Sequence, residues 1–197
     1  VVTGDTRVFL KPEAKQRPNT AVHILVDMSS SMSYRAANGK ERQDIAREAS
    51  LAIAMALDAI PGVNPAVTFF GGDEKQPVFS AVKHGETVQN RAGRFGFKAR
   101  GNTPMAEAIW YAAFELTKTR EERKMLIVVT DGAPQNAPAC SSVINLCERS
   151  NVEVIGIGVE TNAVTRLFPT NIVIDDAAAL QRTLFKLLER SLTSFAA

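Results

Sequence analysis

The sequence predicts an α/β protein built on an open, mostly parallel sheet with helices on both faces. Apolar runs of strand length alternate with stretches whose apolar residues recur every three or four positions, which indicates alternating strands and helices. Two runs, residues 21–26 and 125–130, are apolar almost throughout, a pattern typical of parallel strands covered on both faces. Each of these two runs leads directly to an aspartate, Asp27 and Asp131.

The other elements follow from local pattern. Further strands are predicted over residues 64–70, 78–82, 152–157 and 172–174, and helices over 39–60, 104–117, 137–150, 162–167 and 177–195. The 78–82 run closely follows a Gly-Gly turn, so we expect it to pair antiparallel at an edge. Residues 85–101 lack a clean period and predict a long surface loop, with a short helix near 86–91. Residues 1–20 are expected to form an N-terminal extension or edge strand before a domain over 21–197.

The two most apolar strands are expected to be central neighbours. A doubly wound, Rossmann-like sheet of six strands in the order 3-2-1-4-5-6, with one antiparallel edge strand, places them on either side of the switch point. The loops that follow them then open the crevice where such sheets bind ligands. This topology brings Asp27 and Asp131 together although they are far apart in sequence.

Five oxygen-bearing side chains are predicted to meet at that rim. Asp27, Ser29 and Ser31 follow the first strand, Thr103 precedes a predicted helix, and Asp131 follows the fourth strand. Two carboxylates and three hydroxyls suit a hard divalent cation, and Mg²⁺ prefers oxygen ligands while keeping several waters. Taken alone, the Asp-x-Ser-x-Ser run could equally be a helix-capping cluster. The five positions together favour a metal site, with Mg²⁺ as the expected ion and Mn²⁺ or Ca²⁺ as alternatives.

These residues carry a family resemblance. The Asp27-x-Ser29-x-Ser31 run, Thr103 and Asp131 resemble the metal-ion-dependent adhesion site (MIDAS) of von Willebrand factor A (VWA) domains. The resemblance implies that the serines and the threonine are direct ligands and that the aspartates bind directly or through water. It also implies a protein-interaction module in which a partner's Asp or Glu completes the metal shell. Ser30 stands where the family usually has glycine.

A narrower resemblance concerns the setting. Residues 7–9 and 21–27 look like the intracellular bacterial CobT-like and NorD-like VWA proteins. That group implies a cytoplasmic, non-catalytic module working beside a MoxR-type or chelatase-type AAA+ ATPase. Two alternatives stay open: a subunit of a cobalt or magnesium chelatase, and an extracellular adhesion domain. The chain does not begin with Met, so we expect it to be part of a longer protein.

The loops beside the predicted metal site offer a candidate partner surface. Cations and aromatics are interleaved there, a pattern that suits an acidic protein partner, a solvated loop or, less well, stacked nucleic-acid bases. The candidate contact residues are Tyr34, Arg35, Arg94, Phe95, Phe97 and Arg100.

Composition excludes several function classes. The formal net charge is only +2, which argues against a nucleic-acid-binding protein. No apolar run approaches the length of a membrane span.

Ser29 lacks the flanking glycines of a hydrolase nucleophile elbow, and His23 lies too far back in its strand to serve as its base. Cys140 and Cys147, expected on one helix, are too far apart to pair and indicate a reducing compartment.

Overall fold

A computed structural model of the chain describes residues 19–36, 38–72, 75–174 and 179–193. Residues 1–18, where the N-terminal extension was predicted, lie outside the described residues. Within the described part, no helix is long and apolar enough to cross a bilayer.

The described sheet has six strands and the predicted order. The strands are β1 (Thr20–Asp27), β2 (Val63–Phe70), β3 (Val78–Val82), β4 (Arg123–Thr130), β5 (Val152–Val159) and β6 (Thr170–Ile174). They run in the order β3-β2-β1-β4-β5-β6, and β3 is the one strand that pairs antiparallel. The predicted fold class is therefore confirmed, including its antiparallel edge strand.

Helices cover both faces of this sheet. They are α1 (Arg42–Asp58), α2 (Val88–Arg91), α3 (Met105–Thr117), α4 (Ala137–Arg149) and α5 (Leu180–Thr193). All eight residues of β1 are buried, because its alternate side chains enter two separate cores. Ile24 shares one core with α1 and α5, whereas Leu25 shares the other with α3 and α4. This double burial explains why the strand is apolar throughout.

Three predicted elements differ in detail. The helix expected over 39–60 begins only at Arg42, because Gly39 has a left-handed φ of +82° and the chain turns there. The predicted helix over 162–167 is a short 3₁₀ helix, Ala163–Arg166. The predicted loop over 85–101 contains α2, which confirms the short helix expected near 86–91, and in addition a second 3₁₀ helix, Ala92–Gly96.

That loop is anchored by aromatic packing. The rings of Phe95 and Phe97 lie 5.6 Å and 6.1 Å from the ring of Phe69 on β2, measured between centroids. Phe97 also stacks on Phe79 of the edge strand at 5.1 Å. Phe95 is only 5% exposed, so its ring belongs to the core and is not available to a partner. The prediction that Phe95 contacts a partner is wrong, because the alternation of cations and aromatics did not reveal which rings point inward.

Candidate metal centre

The topology brings the two predicted aspartates to one rim. Asp27 is the last residue of β1, and Asp131 directly follows β4. The two strands pair in parallel with Val26 opposite Val129, so both carboxylates emerge at the same end of the sheet. Thr130 connects the strands at this point, since its hydroxyl donates to Oδ2 of Asp27 at 2.6 Å.

A chain of hydrogen bonds links the aspartates through the two serines. The backbone N–H of Ser29 donates to Oδ1 of Asp27 at 2.8 Å, closing a tight turn directly after the strand. The hydroxyls of Ser29 and Ser31 lie 3.1 Å apart, and that of Ser31 donates to Oδ1 of Asp131 at 2.7 Å. The 3₁₀ helix Ser30–Ser33 continues this turn, and its buried Met32 fixes the turn to the core. Four of the five predicted site residues are thus connected.

The fifth residue, Thr103, faces the same opening. Together with both serines it lines an open cavity of about 260 Å³ at the rim. Its carbonyl accepts hydrogen bonds from the backbone N–H groups of Met105 and Gln135, at 2.8 Å and 3.2 Å. These bonds fix the loop before α3 against the loop after β4. The structure therefore brings together all five residues predicted from sequence.

Backbone contacts between loops hold this rim in shape. The Met28 carbonyl accepts from the Arg100 N–H at 2.8 Å, and the Ser30 N–H donates to the Gly101 carbonyl at 3.1 Å. A Cβ atom on Gly101 would lie 2.2 Å from the carbonyl oxygen of Gly72, so a side chain there would separate the loops. Sequence reasoning missed these glycines as parts of the site. The Gly-Gly pair after β2 and the Gly just before Thr103 were the available signal.

The two carboxylates differ in their electrostatic surroundings. Asp27 is fully buried and accepts hydrogen bonds only from neutral donors among the described residues. Burial raises the pKa of Asp27 to about 6, although the hydrogen bonds from Thr130 and Ser29 act in the opposite direction. The side chain of Asp131 is also fully buried, but the guanidinium of Arg42 donates to its Oδ2 at 3.0 Å. The other arm of Arg42 binds Glu160 at the end of β5.

The donor set fits a hard divalent cation. Every predicted ligand offers oxygen, and one of the two carboxylates is buried without a cationic neighbour of its own. A divalent ion would supply the charge that this environment lacks. Among the described residues no cluster of three or more His, Cys, Asp and Glu could hold a metal, so a cation here would rely on the three hydroxyls beside the two aspartates.

The remaining partner-surface candidates are distributed unevenly around the rim. Tyr34 is 66% exposed and follows the first site loop. Arg35 is exposed, but its guanidinium donates to the Gly39 carbonyl at 2.7 Å. Arg94 and Arg100 are exposed and lie over the rings of Phe79 and Phe97, at 5.8 Å and 5.2 Å from the ring centroids. The exposed part of this surface therefore combines the arginines with the ring of Tyr34, whereas Phe95 and Phe97 pack against the core.

The two histidines lie elsewhere in the fold. His23, midway along β1, is buried against His84, with ring centroids 5.2 Å apart. Its Nε2 lies 2.9 Å from the Thr68 hydroxyl, whereas Nδ1 is buried and has no hydrogen-bond partner among the described residues. Neither ring is bonded to the site serines, so no hydrolase-type nucleophile and base pair is assembled.

Solved structures with the same fold come from several settings. The pilus adhesin SpaC from Lactobacillus rhamnosus GG matches with a TM-score of 0.77 and 17% identity, over 92% of this chain and 31% of that one. The VWA domain of SpRpn10 matches with a TM-score of 0.67 and 14% identity, over 85% of this chain and 94% of that one. Proximal thread matrix protein 1 from the mussel byssus, with a zinc-occupied MIDAS motif, matches with a TM-score of 0.70 and 16% identity, over 89% and 46%. This chain therefore spans about a third of SpaC and under half of the mussel protein.

The family is established by its sequence model. No curated protein matches this sequence. The model of the von Willebrand factor type A domain, however, matches residues 21–186, which cover the sheet from β1 to β6 and the first half of α5. That range includes all five residues of the candidate metal centre. The chain belongs to the von Willebrand factor type A domain family.

Proposed function

We propose that this domain is a metal-dependent protein-interaction module. Ser29, Ser31 and Thr103 would hold a divalent cation, with Asp27 and Asp131 binding it directly or through water. The observation that carries the proposal is the hydrogen-bonded run from Asp27 to Asp131, which opens with Thr103 onto one cavity. Mg²⁺ is the expected ion, and Mn²⁺ or Ca²⁺ would suit the same oxygen donors. The bound ion would supply an open coordination position to a carboxylate of the partner.

The residues of the site position the partner and do not react with it. The hydroxyls of Ser29 and Ser31 bond to each other, and that of Ser31 donates to Asp131, whereas neither histidine is bonded to either serine. This arrangement suits ligand roles for the serines and not nucleophilic ones. Around the opening, the exposed arginines Arg94 and Arg100 and the exposed ring of Tyr34 would favour an acidic partner segment. The domain would therefore capture an Asp or Glu side chain by metal and by charge together, with no bond made or broken.

We further propose a cytoplasmic setting beside an AAA+ ATPase of the MoxR or chelatase type. The support is the resemblance of residues 7–9 and 21–27 to the CobT-like and NorD-like proteins, and residues 7–9 lie outside the described residues. The free, buried cysteines on α4 agree with a reducing compartment. A chelatase subunit or an adhesion domain would use the same site with a different partner.

Thermal unfolding with and without Mg²⁺ tests the metal site. At a Mg²⁺ concentration a hundredfold above Kd, binding to the native state alone adds about 2.7 kcal/mol to the free energy of unfolding. For a domain of this size that raises Tm by about 5 to 11 °C. Thr103→Ala should lose most of this increase, whereas Ser30→Ala, which changes a hydroxyl of the same loop outside the ligand set, should keep it. An equal increase in the two variants, or none in the wild type at millimolar Mg²⁺, would contradict the proposal.

Partner capture tests the second step. The immobilised domain should retain its partner in Mg²⁺ and release it in EDTA, and Thr103→Ala should fail to retain it in Mg²⁺. Capture that is the same in EDTA would show that the metal does not form the bridge.

A further inference from the structure

Arg42 places a cation directly against one of the proposed metal ligands. It is the first residue of α1, and its Nη1 donates to Oδ2 of Asp131 at 3.0 Å. The Arg42 side chain is 20% exposed and that of Asp131 is fully buried, so this ion pair is largely withdrawn from solvent. Withdrawn, hydrogen-bonded charges interact more strongly than exposed pairs. The site therefore contains a positive charge that belongs to the protein.

With this contact, both carboxylate oxygens of Asp131 accept hydrogen bonds. Oδ1 accepts from the Ser31 hydroxyl and Oδ2 accepts from Arg42. Asp27, in contrast, is bonded by a neutral hydroxyl and a backbone N–H. Taken together, Asp27, Asp131 and Arg42 carry one net negative charge and not two. A divalent cation that approaches Asp131 must compete with the guanidinium for the same carboxylate.

Glu160 holds the other arm of Arg42. Its carboxylate pairs with Nη2 of Arg42, and its side chain is about as exposed as that of Arg42. The Glu160 backbone has a left-handed φ of +54°, and its N–H donates to the Ile174 carbonyl at 2.7 Å. A non-glycine residue keeps this conformation only where its surroundings fix it. The residue that follows β5 thus provides a fixed carboxylate that shares the Arg42 guanidinium with Asp131.

We propose that Arg42 and Glu160 together set the affinity of the site for its divalent cation. Arg42 is a positioning residue that holds Asp131 and weakens cation binding by neutralising it. Glu160 opposes this effect, because it offers the guanidinium a second carboxylate. The inference rests on the proposed metal site, and it predicts opposite effects on cation affinity for two residues outside the ligand set.

Because the two substitutions should change Mg²⁺ affinity in opposite directions, titration calorimetry on the purified domain tests the inference. Arg42→Gln should bind Mg²⁺ about tenfold more tightly, the order expected when a unit charge beside a divalent-ion ligand is removed. Glu160→Gln should bind several-fold more weakly, since Arg42 then pairs with Asp131 alone. Arg47→Gln is the matched control, because Arg47 also lies on α1 with a side chain 20% exposed but pairs with Asp44. The Mg²⁺ affinity of this variant should equal that of the wild type.

The outcomes separate this inference from the proposed function. A wild type that binds no Mg²⁺ overturns the proposed metal site and this inference with it. A wild type that binds Mg²⁺, with Arg42→Gln unchanged or weaker, overturns only the role of Arg42. A merely structural role would weaken binding in both variants, because each would loosen the rim. If Arg42→Gln does not fold, Arg42→Met, which keeps an unbranched side chain and removes the charge, takes its place: affinity equal to or weaker than the wild type contradicts the inference.

Discussion

Replacing Gly71 by alanine should damage both the fold and the metal centre. Gly71 directly follows β2 and has a φ of +149°, a region that side chains rarely adopt. A Cβ atom there would lie 2.4 Å from the carbonyl oxygen of Met28 and 2.9 Å from the backbone nitrogen of Ser29. These are backbone atoms of the first site loop, so they cannot move aside as a flexible side chain would. One loop must shift to admit the methyl group.

The cost follows from two contributions. Backbone strain of this kind costs about 1–3 kcal/mol, and forcing a methyl into a filled space costs about 1–3 kcal/mol more. For a domain of this size, each kcal/mol lowers Tm by about 2–4 °C, so Gly71→Ala should unfold about 4 to 24 °C below the wild type. The shift displaces the peptide that carries the Ser29 N–H, which donates to Asp27. Mg²⁺ affinity should therefore fall as well.

Differential scanning calorimetry and Mg²⁺ titration measure the two effects, and Gly93→Ala is the matched control. Gly93 lies in the 3₁₀ helix Ala92–Gly96, and a Cβ atom there would meet no heavy atom within 4 Å. Its replacement should leave Tm within about 1 °C or raise it slightly, because alanine restricts the unfolded chain. If Gly71→Ala unfolds at the wild-type temperature and binds Mg²⁺ normally, the close approach of these two loops is not what shapes the site.

Two further predictions concern stability away from the rim. Burial lowers the pKa of both His23 and His84, so in metal-free protein the free energy of unfolding should fall below pH 6.5, by up to about 1.4 kcal/mol per pH unit for each histidine. Protonation of Asp27, whose pKa burial raises to about 6, stabilises the fold as the pH falls below that value, so in urea unfolding from pH 7 to pH 5 the decline should begin near pH 6.5 and be partly offset by Asp27 below pH 6. Stability that increases from pH 7 to pH 6 would contradict this account. Phe168→Ala should lower the free energy of unfolding by about 3–5 kcal/mol in the same assay, because the buried Phe168 ring fills the space directly over Gly156, where a Cβ would clash with it. A loss below about 1 kcal/mol would show that the core closes over the gap.

The sequence was informative about the fold because its strongest patterns are local. Residues 21–26 and 125–130 are apolar on consecutive positions, and only a strand covered on both faces requires that. The hairpin at β3 follows from the short Gly-Gly turn that precedes it. Once the order of the strands is deduced, the meeting of Asp27 and Asp131 follows from topology and needs no contact information. This is why five candidate ligands scattered over about a hundred residues could be predicted together.

Features that depend on distant contacts could not be predicted in this way. Phe95 and Phe97 lie two residues apart in one loop, yet one ring is buried and the other only partly so, because both pack around Phe69 of a different element. Arg42 and Glu160 meet across 118 residues, and neither belongs to a local motif. A polar residue at a helix start is usually explained by solvation or capping. Only the contact with Asp131 in the structure indicates that Arg42 belongs to the candidate site.

The two aspartates of the site show how much these distant contacts matter. In the sequence they look equivalent, since each follows a buried strand and each would give the cation one negative charge. In the structure Asp131 already has a cationic neighbour in Arg42, whereas Asp27 is buried among neutral donors and its pKa is raised to about 6. An uncompensated buried carboxylate is costly, and a divalent ion removes that cost. In the proposed metal centre the demand for a cation would therefore come chiefly from Asp27, while Asp131 and Arg42 would determine how tightly the site satisfies it.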